Sequence, residues 1–201
     1  MNKRPELVSP AGDWPALRSA VAAGCDSVYF GAKSLNMRQS AGNFDLLELG
    51  KIMSFLHDNG KKGYLTLNVL IFNNELERAR KILGAAKSAG VDAIILWDMA
   101  ALNIAKELGM KVHLSTQASV SNIEAVKFYA SLGVKRIVMA RECALTDMKE
   151  IISYIGKEKL DCEIETFIHG AMCLSVSGRC LLSEHSFGRL SCKEKEQGLV
   201  M

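Results

Sequence analysis

The stretch GAAKSAGVDAIILW, residues 84–97, decides the fold of this chain. Small and charged residues lead to Gly90, and the run that follows has the apolar character of a buried β-strand. A glycine ends a helix readily because it adopts the left-handed backbone conformation at low cost. The same pattern recurs as SAVAAGCDSVYFG, AKELGMKVHLS and YASLGVKRIVMA, which begin at residues 19, 105 and 129. The chain is therefore predicted to alternate helices with strands.

Seven strands with six helices between them can be assigned in this way. They are residues 6–10, 27–31, 63–71, 92–97, 111–115, 136–140 and 162–170. Strands that alternate with helices and are mostly continuously apolar indicate a parallel sheet with right-handed crossovers. An open doubly wound sheet and a (β/α)8 barrel of the TIM type both fit this alternation.

Polar residues near the strand ends favour the barrel. They are Ser9, Tyr29, Asn68, Asp98, Gln117, Arg141, Glu142 and His169. In a barrel the carboxyl ends of all strands converge on one mouth, where such enzymes hold their chemistry, whereas an open sheet would spread these side chains along a crevice. Any single member of the group serves equally well as a helix cap or loop residue.

The number of strands is one short of a closed barrel. The stretch SFGRLSCKEKEQGLVM, residues 186–201, is rich in charge and has no strand pattern. We therefore predict an incomplete (β/α)8 barrel over residues 1–183, truncated at its carboxyl end, and an irregular tail over residues 184–201. A partner subunit could complete the barrel, because open edges at the first and seventh strands invite pairing with another chain.

The composition is that of a chain expected in the cytoplasm. Its 201 residues carry a net charge of +3, which permits nucleic acid as a partner without requiring it. No run approaches the ~18 consecutive apolar residues of a membrane span. The start, MNKRPELVSPAGD, lacks the pattern of a signal peptide. Among six cysteines, the scattered Cys25 and Cys162 are expected to be buried small residues, and clustered ones to be metal ligands or catalytic groups.

The seventh predicted strand carries candidate catalytic side chains. Residues two apart on a strand share a face, so Glu165 and His169 point the same way, towards the predicted mouth. Both are candidates for acid–base or substrate-orienting work. The alternative for Glu165 is a structural pairing with a neighbouring arginine, for which Arg141 is a candidate.

Two cysteines, Cys173 and Cys180, follow this strand at a spacing of seven. Zinc sites usually use closer pairs, so this spacing is unusual for zinc. A nucleophilic Cys173 assisted by His169 is one possibility. An iron–sulfur cluster is another, since its ligands are cysteines held in a glycine-containing loop. The spacing alone leaves both open.

The stretch ETFIHGAMCLSVSGRCLLS, residues 165–183, closely resembles the signature of the U32 peptidase family, the collagenase-like proteins. ELVSPAG, DSVYFG, HLSTQAS and ARE also resemble the barrel of that family, so the resemblance covers roughly residues 5–183. It implies one of three activities. Some members are named as peptidases, others hydroxylate the wobble uridine of tRNA or a cytidine of large-subunit rRNA, and others work as paired subunits in oxygen-independent ubiquinone hydroxylation.

The resemblance also implies a cofactor. In the hydroxylating members four cysteines hold a 4Fe–4S cluster, and prephenate is implicated in the RNA reactions. Cys173 and Cys180 match the first two ligands of that pattern. Cys192 is a third candidate, although it lies closer to Cys180 than the family pattern has it, and the fourth ligand has no counterpart.

The leading hypothesis is an iron–sulfur-dependent factor for hydroxylation of an RNA base. The residues expected to line its mouth and to orient a small anionic co-substrate or the target base are Gln117, Arg141, Glu165 and His169. Arg141 suits a carboxylate such as that of prephenate, because a guanidinium donates two parallel hydrogen bonds. The alternatives are a collagenase-like peptidase and a non-catalytic fragment that binds a partner.

Overall fold

The computed structural model describes residues 4–33, 35–36, 42–170 and 175–179. In this part of the chain seven parallel strands form one sheet whose spatial order follows the sequence, β1 to β7. The strands are β1 (Val8–Ala11), β2 (Ser27–Gly31), β3 (Lys62–Leu67), β4 (Ala93–Leu96), β5 (Val112–Leu114), β6 (Arg136–Val138) and β7 (Glu163–Glu165).

Each pair of consecutive strands is connected by an α-helix. The helices are α1 (Trp14–Ala22), α2 (Leu49–Asp58), α3 (Leu76–Ser88), α4 (Met99–Glu107), α5 (Ile123–Ser131) and α6 (Leu145–Lys157). Short 3-10 turns precede α2 and α3 at Leu46–Glu48 and Asn73–Glu75, and another follows β5 at Thr116–Ala118. None of the helices in the described ranges is both long enough and apolar enough to cross a membrane.

The helix-to-strand transitions occur at the predicted glycines. Gly90 and Gly133 have φ angles of +77° and +88°, in the left-handed region that other residues rarely adopt. Backbone N–H groups just after each helix then bond back to its last turn, as Val91 N does to Ala86 O at 3.0 Å. The chain therefore reverses within a few residues, and each strand starts beside its predecessor.

The sheet is covered on both faces, which explains why its strands are so apolar. A large cluster fills the layer between the sheet and its helices and includes Leu17, Ile52, Leu83 and Leu102, each at most 1% exposed. A smaller cluster of Tyr64, Ala93 and Ile95 packs on the other face of the sheet.

The sheet curls into a partial barrel. Arg136 at the start of β6 hydrogen-bonds Glu6, which precedes β1 and is 130 positions away in sequence, at 2.9 Å. The two outer regions of the sheet therefore approach each other across the interior. Among the described residues the sheet ends at β1 and at β7, so the prediction of an incomplete (β/α)8 barrel with seven strands is confirmed.

Several strands are shorter than the sequence predicted. The run predicted at 63–71 is a strand only over Lys62–Leu67, and beyond it Ile71 N donates to the side chain of Asp98 at 3.2 Å. The run predicted at 162–170 is a strand only over Glu163–Glu165, and residues 166–170 are exposed. The predicted tail, residues 184–201, lies outside the described residues.

Candidate functional site

A short segment, residues 175–179, is bound beyond the carboxyl ends of β5 and β6. We call it the inter-cysteine segment, because in sequence it lies between Cys173 and Cys180. Its centre is Ser177, which is 1% exposed. Ser177 N donates to the Glu142 carboxylate at 2.9 Å, and Ser119 Oγ donates to Ser177 O. Both backbone polar groups of this buried residue are thus satisfied by the barrel.

Arg141 also holds the inter-cysteine segment. Its backbone N and its Nε donate to Ser177 Oγ at 3.2 and 3.4 Å, and its Nη2 donates to Ser175 O at 2.8 Å. Thr116 Oγ1 lies 3.4 Å from Ser177 Oγ and donates to Met139 O at 3.1 Å. The segment is therefore fastened by side chains from two consecutive strand ends, after β5 and after β6.

A glycine lets the segment approach the barrel. Gly178 has a φ of +73°, and a Cβ atom there would lie 2.1 Å from the carbonyl oxygen of Gln117. No side chain fits at this distance, since it is far below van der Waals contact. Gly178 thus meets the backbone after β5 directly, and Gln117 contributes its main chain to the docking surface.

The Gly178→Ala variant is expected to release the inter-cysteine segment. The unfavourable φ and the clash together cost more than about 1.4 kcal/mol, so the open form becomes more than about tenfold more populated. Trypsin cleavage after Arg179, followed by mass spectrometry, measures this population because proteolysis tracks local opening. The matched control is Gly84→Ala in α3, where a Cβ would meet nothing within 4 Å. Equal cleavage rates in the two variants would contradict the docking described here.

The remaining sequence-predicted site residues fall into two groups. Cys173, Cys180 and Cys192 lie outside the described residues. His169 is described and exposed, four residues beyond the end of β7. Gln117 is half-buried in the 3-10 turn after β5, where its backbone N donates to Ser115 Oγ at 3.3 Å.

The cysteines that the structure describes are free and dispersed. Burial raises the pKa of Cys25 and Cys143, and it raises the pKa of Cys162 to about 11. A thiol with a raised pKa is a poor nucleophile and metal ligand. Cys25 and Cys162 are buried, as predicted. Within the described ranges, no three His, Cys, Asp or Glu side chains are grouped so that they could hold a metal.

An ionic cluster centred on the buried Arg136 lies on the interior side of the sheet. Arg136, whose side chain is 8% exposed, donates through Nη2 to Glu6 at 2.9 Å and to Glu163 at 2.7 Å. Its Nη1 lies 3.4 Å from Glu165 Oε2. The guanidinium stands 5.6 Å from the ring centroid of Tyr64, whose hydroxyl donates to Glu6. We call these five residues the Arg136 cluster.

Burial and the contacts within the Arg136 cluster shift the pKa values of its members. Burial disfavours the Glu6 carboxylate, but hydrogen bonds from Arg136, Tyr64 and Ser27 outweigh burial and hold the pKa of Glu6 well below its usual range. Burial also disfavours the Arg136 cation, and hydrogen bonds to Glu6 and Glu163 raise its pKa nonetheless. For Glu165 the balance reverses: burial raises the pKa and outweighs the attraction of Arg136.

His113 on β5 borders the cluster. It is 5% exposed, and its ring packs edge-on against Tyr64 with 4.7 Å between centroids. Its Nδ1 is buried and finds no hydrogen-bond partner among the described residues. Burial, with the charge of Arg136 adding to it, lowers the pKa of His113 to about 3. The imidazole is therefore neutral at neutral pH.

The arginine partner of Glu165 differs from the one considered in the sequence analysis. The partner is Arg136, at the start of the adjacent strand, and not Arg141, which follows that strand and holds the inter-cysteine segment. The reason is the register, which sets Arg136 beside Glu163 and Val138 beside Glu165, so that Arg136 reaches both carboxylates on the interior face. Sequence reasoning missed Arg136 and Glu6, although a charged residue starting an apolar run was the available signal.

Three relatives match nearly the whole length of this chain. It is 45% identical to an uncharacterized protease of Methanocaldococcus jannaschii over 92% of this chain and 45% of the relative. It is 39% identical to a collagenase of Porphyromonas gingivalis over 98% of this chain and 52% of that protein. It is also 39% identical to tRNA hydroxylation protein P1 of Bacillus subtilis, over 94% and 44% respectively. The chain thus spans about half the length of these relatives.

The fold has a solved counterpart. The structure of a U32 peptidase matches with a TM-score of 0.63 and 18% sequence identity, covering 87% of this chain and 73% of that one. At this identity the match shows the fold alone. The family model of peptidase family U32 matches residues 12–195, which include strands β2 to β7 and the inter-cysteine segment. The chain therefore belongs to peptidase family U32.

Proposed function

We propose that this chain is the barrel part of an iron–sulfur-dependent factor that hydroxylates an RNA base, in tRNA or in 23S rRNA, in the cytoplasm. The observation that carries the proposal is the docking of residues 175–179 on the strand ends, because it ties the sequence between two cysteines to the barrel mouth. The name of the Bacillus subtilis relative, a tRNA hydroxylation protein, supports the choice of substrate class.

The proposed ligands of a 4Fe–4S cluster are Cys173 and Cys180, with Cys192 as a further candidate. The chemistry of the donor set supports this choice, since two thiols that bracket one docked segment are soft ligands of the type that iron–sulfur clusters require. Cys25, Cys143 and Cys162 are separate free thiols with raised pKa values and are unsuited to the role. When bound, the cluster would supply one-electron chemistry.

The described residues at the mouth have a positioning role in this proposal. Arg141, Glu142 and Ser119 fix the inter-cysteine segment through its main chain and the Ser177 hydroxyl. Arg141 therefore acts through the segment. Its predicted contact with the carboxylate of prephenate, or of another small anionic co-substrate, stays a prediction, as do the substrate-orienting roles of Gln117 and His169. The ion pair of Glu165 with Arg136 supports its structural alternative, and its catalytic role also stays a prediction.

The chain purified under anaerobic conditions is expected to contain iron and acid-labile sulfide and to absorb visible light. The Cys173→Ala variant is expected to lose most of both elements, because it removes a proposed ligand. Cys25→Ala is the matched control, since this thiol is 1% exposed inside the helical layer and should leave the iron content unchanged. Iron and sulfide assays with absorption spectra measure the result. Iron-free wild-type protein, or equal iron in both variants, would contradict the cluster assignment.

The substrate is tested in cells. A Bacillus subtilis strain without tRNA hydroxylation protein P1 is complemented with this chain, and its tRNA nucleosides are analysed by mass spectrometry. Restored hydroxylation with wild type but not with Cys173→Ala supports the proposal. Gelatin hydrolysis that disappears in both Cys173→Ala and Glu165→Ala would instead support a peptidase, the alternative that the collagenase relative represents by name.

A further inference from the structure

Ser119, in the turn after β5, has an unusual backbone conformation. Its φ is +54°, in the left-handed region that residues other than glycine adopt at a cost. Glycine would adopt this conformation more easily, but it has no hydroxyl. Ser119 Oγ donates to the carbonyl oxygen of Ser177, the buried centre of the inter-cysteine segment. The serine thus supplies a hydrogen bond that the least strained residue at this position could not supply.

Glu142, after β6, holds the other backbone polar group of Ser177. Its carboxylate accepts from Ser177 N at 2.9 Å. Burial disfavours this carboxylate, but the hydrogen bond from Ser177 N outweighs burial and lowers the pKa of Glu142. Hydrogen bonds to a charged acceptor are stronger than those between neutral groups. Since Ser177 is 1% exposed, removal of the carboxylate would leave a buried N–H without its acceptor.

These contacts fix the chain between the two proposed cluster ligands. Cys173 lies two positions before Ser175, and Cys180 directly follows Arg179. A chain spans at most about 3.6 Å per residue, so docking limits how far either cysteine can lie from the strand ends. Ligands that are already confined act at a higher effective concentration than ligands on a free loop. Docking of the segment and binding of a cluster are therefore expected to strengthen each other.

We propose that Ser119 and Glu142 are positioning residues that control how long the chain retains its iron–sulfur cluster, by keeping the inter-cysteine segment bound to the barrel. Control of this kind rests on the proposed function, since it requires Cys173 and Cys180 to bind the cluster. Retention is lost through the open form of the segment. Each change that makes the open form more populated should therefore speed cluster release by the same factor.

The test measures two rates in the full chain. Trypsin cleavage after Arg179 in the iron-free chain reports the population of the open form. Anaerobic loss of visible absorption in the presence of an iron chelator reports cluster release from the iron-loaded chain. Glu142→Ala is expected to raise both rates about tenfold or more. Glu142→Gln keeps an oxygen that accepts from Ser177 N and is expected to reduce this increase. Glu150→Ala, at an exposed glutamate of α6, is the matched control and should change neither rate.

The Ser119→Gly variant separates positioning from backbone strain. It removes the hydroxyl that donates to Ser177 and at the same time relieves the left-handed backbone. Positioning predicts that both rates rise about threefold or more, whereas a role in the turn alone predicts that neither rises. Gly178→Ala, which opens the segment through a clash, is expected to speed cluster release by the same factor as cleavage.

Failure of positioning and failure of the proposed function give different results. A wild-type chain without iron would overturn both. A wild-type chain that holds a cluster, with equal release rates in wild type, Glu142→Ala and Ser119→Gly, would overturn the positioning roles alone. Variants in which only one of the two rates rises would do the same, because retention of the cluster would then be independent of docking.

Discussion

Replacement of Arg136 by alanine is expected to lower the free energy of unfolding by about 3–5 kcal/mol, the usual cost of removing one partner from a buried ionic group. The Arg136 side chain is 8% exposed and contacts three carboxylates. Without it, Glu6 keeps only the hydrogen bonds of Tyr64 and Ser27 and the ion pair with Lys62. Urea unfolding at neutral pH, followed by circular dichroism, measures the loss.

The control for this experiment is Arg80→Ala. Arg80 also pairs with a glutamate, Glu107 at 2.7 Å, but the two side chains are 49% and 57% exposed. Exposed pairs contribute little, so the expected loss is below about 1 kcal/mol. If the two variants lost the same stability, the Arg136 cluster would not be an important link between the outer strands of the sheet.

The stability of the wild-type chain is expected to fall as the pH is lowered from 6.5, the ordinary pKa of histidine, and His113 is the cause. The pKa of His113 in the folded state is lowered to about 3 by burial and by the charge of Arg136. Below pH 6.5 His113 is therefore protonated in the unfolded chain and stays neutral in the folded chain. The contribution of His113 to the free energy of unfolding is fully present above pH 6.5. It is lost at up to about 1.4 kcal/mol per pH unit as the pH falls towards the pKa of His113 in the folded state.

The His113→Phe variant is expected to remove this slope. Phenylalanine keeps the edge-on contact with Tyr64 and removes the Nδ1 that has no partner, so the variant should be at least as stable at neutral pH. The diagnostic range is pH 6.5 to 4.5, because the lowered pKa of Glu6 affects stability only below the ordinary carboxyl value of 4.5. The raised pKa of Glu165 acts in the opposite direction within this range, and it is common to both proteins, so the difference between their slopes reports His113. Nearby charges from Glu6, Arg136, Lys62 and Lys111 are common to both proteins.

Urea unfolding at several pH values measures both proteins. Across the diagnostic range the wild type is expected to lose about 2–3 kcal/mol more than His113→Phe. A slope that persists in His113→Phe would show that another group takes up the proton.

The order of strands could be predicted because its cause is local. Glycines such as Gly90 and Gly133 are visible in the sequence, and the left-handed conformation they adopt requires no knowledge of distant residues. The strand ends could not be predicted in the same way. Beyond the end of β3, for example, Ile71 N donates to Asp98, which also caps α4 through Ala100 N at 2.9 Å and is distant in sequence from β3. The contact of Ile71 with Asp98 joins residues 27 positions apart, so it follows from the folded structure and not from the local sequence.

The candidate site shows the same division. The motif around Cys173 and Cys180 is a local pattern and identified the family, which the family model confirms. The roles of the two arginines depend on register instead. Arg136 and Arg141 are five positions apart, yet one binds carboxylates inside the barrel and the other binds the inter-cysteine segment outside the strand ends. No spacing rule assigns these roles, because they follow from the pairing of β6 with β7.

The sequential strand order has a consequence for biosynthesis. Every neighbouring pair of strands is also consecutive in the chain, so each one can form as soon as its helix has left the ribosome. The contact between Glu6 and Arg136 is different, because 130 positions separate its partners. Closing so long a loop is entropically costly and comes late. While five strands assemble, Glu6 therefore has only Ser27, Tyr64 and Lys62 as partners from β2 and β3, and the curled shape is completed only when the sixth strand brings in Arg136.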